Sequence, residues 1–140
     1  MQHLAYKAYG EATTRTASDK QIELALFQQI TEALRTVARQ EDPALADWAD
    51  AINRNQQLWS IIATDLLSDA NKLPNDTKTS LIQISKFVRQ HSLKVLAREA
   101  TLDDLIEVNE TIIAGLAGVV AAQDAALDAD PAAAQTEDAA

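Results

Sequence analysis

Apolar residues recur along this chain at spacings of three and four, and nowhere do they alternate as a strand requires. The first sustained stripe is Ile22, Leu26, Ile30, Ala33, Leu34 and Val37, with Phe27 at its edge and Leu24 beyond it. Ser18, with Gln21 three residues on, forms a capping-box pattern and predicts a helix start at Ser18. Asp42-Pro43 predicts a second start, because Asp accepts from free N–H groups and Pro is tolerated in the first turn. From there Leu45, Trp48, Ile52, Trp59, Ile62 and Leu66 hold one face to the region of Asp69. A helix of that extent would be roughly 40 Å long. Asn71-Lys72-Leu73-Pro74 breaks it. A third helix follows with Leu81, Ile84, Val88, His91 and Val95 on its stripe. Thr101 and Asp104 resemble a weaker capping box for a fourth, whose stripe is Leu105, Val108, Ile112 and Leu116. Gly115 and Gly118 weigh against its last turns.

Four amphipathic helices with short links bury their stripes by packing on one another. The expected fold is therefore all-α: a single-domain helical bundle of about four main helices. Residues 1–17 read as an N-terminal arm, in which Tyr6 and Tyr9 share a helix face. Residues 18–120 form the bundle domain. Residues 121–140, AAQDAALDADPAAAQTEDAA, carry five acids, no base and little beyond Ala, and read as a disordered acidic tail. Few Gly and Pro, three of each, agree with a helical class. There is no repeat of fixed period.

Charge is unevenly spread. Residues 71–98 hold six bases (Lys72, Lys78, Lys86, Arg89, Lys94, Arg98) and one acid, Asp76, whereas residues 99–140 hold ten acids and no base. The chain as a whole is at −9, which counts against a general nucleic-acid binder. The N-terminus lacks the apolar core of a secretory signal. The longest apolar run, Ile112 to Ala122, is about half of what a membrane helix needs. These features suggest a cytoplasmic protein with no membrane insertion.

No residue set resembles a catalyst. The histidines are His3 and His91, and Val88 stands three before His91, so the Glu-x-x-His pattern of di-metal bundles is missing. With no cysteine, there is no Cys-based metal site. Asp103, Asp104 and Glu107 crowd one helix start, where the macrodipole explains acids without catalysis. Phosphate loops and nucleophile elbows are absent. The expectation is a non-enzyme with no catalytic residue, no metal and no cofactor. Lys78, Lys86 and Arg89 share an arc of about 80° on the third helix and could contact RNA phosphates, or stand as a solvated face, or pair with the acidic fourth helix. Leu58, Ile61 and Phe87 lie outside the narrow seams of their helices. Either these helices are buried on two sides, or they offer a groove to an amphipathic partner helix.

Three groups of residues resemble the FlaF family of flagellar biosynthesis regulators in α-proteobacteria. One is Ala8-Tyr9-Gly10 followed by Thr16-Ala17-Ser18 and Ile22-Glu23-Leu24. The most specific is Asn55-x-x-Leu58-Trp59-x-Ile61, then Asn71-x-Leu73-Pro74, Leu81-Ile82-x-Ile84 and Phe87-Val88. The third is Leu105-Ile106-x-Val108-Asn109-x-x-Ile112-x-x-Gly115-Leu116. Gln56 and Gln57 stand where the family is often basic, which weakens a phosphate contact at that turn, and Phe87 stands where a Trp is usual.

The resemblance implies a regulator or chaperone that binds flagellin and controls its synthesis and secretion after transcription, with the regulator FlbT as a second partner. Leu58, Ile61 and Phe87 would then be the wall of the partner groove, with Tyr6 and Tyr9 as a flap. The rival is direct binding of flagellin messenger RNA through Lys78, Lys86 and Arg89.

Overall fold

All four expected helices form, and their ends differ from expectation for identifiable reasons. The computed structural model describes residues 16–129. They contain helices α1 (Thr16–Ala38), α2 (Leu45–Leu66), α3 (Asn75–Leu96) and α4 (Asp103–Ala129) and no strand. The fold is all-α. Tyr6, Tyr9 and His3, most of the expected arm and residues 130–140 of the expected tail lie outside the described residues.

Ser18 is inside α1, not at its start, since the helix already runs at Thr16. Asp19 supplies the acid of the first turn, where the macrodipole favours it. Asp42-Pro43 does not open α2. Pro43 is buried and its carbonyl accepts from Arg98 Nη2 at 3.2 Å, and the helix begins only after Ala44. Ala44 then caps the helix through its own carbonyl, which accepts the Trp48 N–H at 3.0 Å. Helix α2 stops at Leu66, three residues short of Asp69.

The α2–α3 break is built from local bonds. Asn71 Oδ1 accepts the Leu73 N–H at 3.0 Å, and Asn71 Nδ2 donates to Asp65 at 3.0 Å. Pro74 then caps α3, its carbonyl accepting the Lys78 N–H. This Asx-turn followed by Pro is what the sequence Asn-Lys-Leu-Pro is suited to form. At the far end of α3, Arg98 sits at φ 58, the left-handed conformation usually left to Gly. Its N–H bonds Val95 O, and the Glu99 N–H bonds Lys94 O at 2.9 Å, closing the last turn. Helix α4 starts at Asp103, with its N–H 3.4 Å from Thr101 Oγ1 and the Leu102 carbonyl accepting from Ile106.

Contacts divide the chain into two compact units. In the unit of residues 27–110, segments of all four helices contribute to a dense core of Phe27, Ile30, Leu34, Ile52, Trp59, Val88 and Leu105, all at or below 2% exposure. Phe27, placed by periodicity at the edge of its stripe, meets Trp59 edge-on at 5.8 Å. Helices α2 and α3 pack on each other as a hairpin.

The second unit takes in residues 16–26 and 111–129 of those described. No side chain described there is fully buried; Ile22, Leu26, Ile112, Leu116 and Val120 are all half-buried. Gly115 and Gly118 do not end the helix. A Cβ at either would meet nothing within 4 Å, and α4 runs on past Val120 to Ala129. By length and composition alone, Asp103–Asp128 is apolar enough to cross a membrane, with a mean hydropathy of 1.6 in its best window. The same helix begins with Leu105 and Asn109 fully buried in the core of the 27–110 unit, as a bundle helix does.

Candidate functional site

Of the three residues expected to wall a partner groove, Leu58 is not on the surface. It is 3% exposed and belongs to the core. The reason is the width of the α2 stripe. Ala51, Ile52, Asn55, Leu58, Trp59 and Leu66 are all buried, and at 100° per residue they span about 120°. A helix packed on two sides buries such an arc, and the narrower seam assumed from sequence leaves Leu58 out. Ile61, further round, is half-buried, and Phe87 is 41% exposed. The three therefore do not form one wall.

Apart from Leu66, which is buried at the end of α2, what remains outside the core is the distal half of the α2–α3 hairpin. From Asn75 to Phe87 no residue of α3 is buried, although Leu81, Ile82 and Ile84 are apolar and half-buried. Leu67 and Leu73, flanking the break, are 73% and 38% exposed. Phe87 stacks on His91 with ring centroids 5.0 Å apart and planes 15° from parallel. His91 Nε2 lies 3.5 Å from Asp104 Oδ2, outside hydrogen-bond geometry. Phe87 thus presents a partly exposed aromatic ring against the His91 imidazole. An aromatic side chain loses little conformational entropy when covered, which suits it to an interface.

Lys78, Lys86 and Arg89 do share a face of α3, and none of them makes an ion pair among the described residues. Two acids of α4 meet other residues. Glu110 meets Arg35 at 2.8 Å and Asp104 faces His91. The bond to Glu110 is the main reason the Arg35 guanidinium is held above its ordinary pKa, with Glu32 adding to it and desolvation opposing. Arg98, the last base of the segment, is tied inward. Its guanidinium lies 4.9 Å over the Trp48 ring, and Trp48 Nε1 donates to Val95 O at 3.0 Å.

The most buried polar cluster escaped sequence reasoning. Trp59 Nε1 donates to Asn109 Oδ1 at 2.9 Å, and Asn109 Nδ2 donates to Asn55 Oδ1 at 2.7 Å. Both asparagines are fully buried, and Asn55 Nδ2 has no partner. The chain of bonds fixes α2 against α4 at one register, because a shift by a turn would strand two buried amides. The readable signal was an Asn at the centre of each apolar stripe, Asn55 between Ile52 and Trp59, and Asn109 between Leu105 and Ile112.

Among the described residues no cluster of three His, Cys, Asp or Glu is placed to hold a metal. A shallow groove beside Thr36, Gln40, Asp47 and Asp50 lacks a nucleophile paired with a base. The features together define a small all-α protein with a polar-locked core and an apolar, partly uncovered hairpin. The family model described as Flagellar protein FlaF matches residues 5–116, and the chain belongs to that family. It is a flagellar protein. The matched region holds Asn55, Trp59 and Asn109, so the motif residues that carried the resemblance meet in the core. No match was found among curated proteins or among solved structures.

Proposed function

We propose that this protein is a non-enzymatic, cytoplasmic flagellin-binding regulator or chaperone, acting on flagellin synthesis and secretion after transcription, with FlbT as a further partner. The observation that carries the reading is the distal α2–α3 hairpin, where apolar Ile61, Leu73, Ile84 and Phe87 are left partly open to solvent. Flagellin belongs here because the family is flagellar and because an unassembled filament subunit has amphipathic segments whose apolar faces lack their polymer neighbours. A helical surface that covers such a face keeps subunits apart before export. Surface binding without covalent chemistry needs neither metal nor cofactor, and the reading assigns none.

Calorimetry of the purified full chain with monomeric flagellin tests this. Saturable binding that Phe87→Ala weakens by about tenfold supports it. Absence of binding removes it. The RNA reading draws on Lys78, Lys86 and Arg89, which make no ion pair among the described residues, but the net charge of −9 opposes it.

A further inference from the structure

Helix α3 turns a second surface outward. Lys78, Ile82, Lys86, Arg89 and Leu93 fall within an arc of about 80°, centred about 115° from the buried side chains of Val88, Ser92 and Val95. Lys86 and Arg89 are exposed, Lys78 and Ile82 half-buried, and Leu93 is 65% exposed. A solvated helix face is commonly neutralised by acids three or four residues away. Here only Asp76 lies within residues 71–98, and none of the three cations is paired with a described residue. The chain carries nine excess negative charges yet keeps a positive strip with a bare Leu at its C-terminal end.

We infer that this strip docks an acidic amphipathic helix of a partner protein. Ile82 and Leu93 are eleven residues apart, about three turns, and provide two apolar seats on one line. Lys78, Lys86 and Arg89 flank that line and set the partner's charge, since carboxylates beside its apolar stripe would meet them. RNA fits less well. Single-stranded bases stack on aromatics, and this arc has none: Phe87 lies about 100° from Lys86 and is engaged with His91. The inference rests on the proposed reading that the protein holds a helical partner, and adds that the partner is acidic where it docks.

The test uses the full chain and three labelled probes followed by fluorescence anisotropy: a synthetic helix with a Leu stripe flanked by Glu, the same peptide with Gln for Glu, and a single-stranded RNA. The Glu peptide is expected to bind about tenfold tighter than the Gln peptide, with affinity falling as salt rises past about 0.1 M. Lys86→Glu with Arg89→Glu removes the preference while circular dichroism is unchanged. Leu93→Ser weakens both peptides. Equal affinity for the two peptides, a preference that survives charge reversal, or RNA bound more tightly than the Glu peptide overturns the inference. So does a dimer, seen in sedimentation, that Leu93→Ser dissolves, because the strip would then serve a second copy. Monomeric flagellin run in parallel separates the two ideas. Peptide preference without flagellin binding removes the proposed function alone. Flagellin binding indifferent to charge reversal removes the inference alone.

Discussion

Helix α3 is two helices in character. Its distal half, Asn75 to Phe87, contains no buried residue, although four of those thirteen side chains are large and apolar. Its proximal half, from Val88, buries Val88, Ser92 and Val95 and borders the Trp48–Arg98 contact. A similar divide runs through α2, where Ala51 to Trp59 hold most of the buried positions and Ile61 to Ala63 are half-buried, with Leu66 the buried exception at the distal end. Four large apolar residues stand on each side of the divide in α3, so the presence of apolar side chains alone does not decide burial. The proximal parts are covered by α1 and α4 side chains, as the Phe27–Trp59 and Asn55–Asn109 contacts record. Hydrophobic area left open on a hairpin that already has a stable base is available for a partner at no cost to the fold.

That contrast can be broken most severely at the proximal core. Trp59→Ala removes a buried ring and strands Asn109, and should cost about 3–5 kcal/mol in urea unfolding. Leu58→Ala should cost about 2–5 kcal/mol, whereas Phe87→Ala should cost under about 1 kcal/mol while weakening flagellin binding. If Phe87 proves the more destabilising of the two, the divide has been drawn in the wrong place. Within the polar lock the expected order is unequal. Asn109→Ala unpairs both the Trp59 indole and the Asn55 carbonyl, about 1–3 kcal/mol. Asn55→Ala should cost less, because it removes an amide whose N–H group is already unpaired. A small effect is expected at Arg98. Arg98→Gly relieves the left-handed backbone and Arg98→Ala does not, so Gly should be the better tolerated by about 1 kcal/mol in thermal unfolding.

Helix number, order and stripes were legible from periodicity, because burying a stripe is the main requirement on such a chain. Helix ends were less so, since Asp42-Pro43 is a strong local start that a tertiary contact, Arg98 to the Pro43 carbonyl, overrides. The break at Asn71 to Pro74 was readable because its bonds are local. The candidate surface was half legible. Ile61 and Phe87 stay at least partly open as their wheel positions suggest, but Leu58 does not. No wheel shows how many neighbours a helix has, and that number sets the width of the buried arc. The buried asparagines sat in plain view at stripe positions, but their pairing joins residues 54 apart in the chain and needs the fold.

Hydrogen exchange of the full chain, free and saturated with monomeric flagellin, tests the central claim most directly. The account predicts slowed exchange in Ile61 to Phe87, the distal hairpin, and little change in Phe27 to Val37 and Ala51 to Trp59, already protected by the core. Unchanged exchange in the distal hairpin, with slowing confined to other segments or absent altogether, would contradict it.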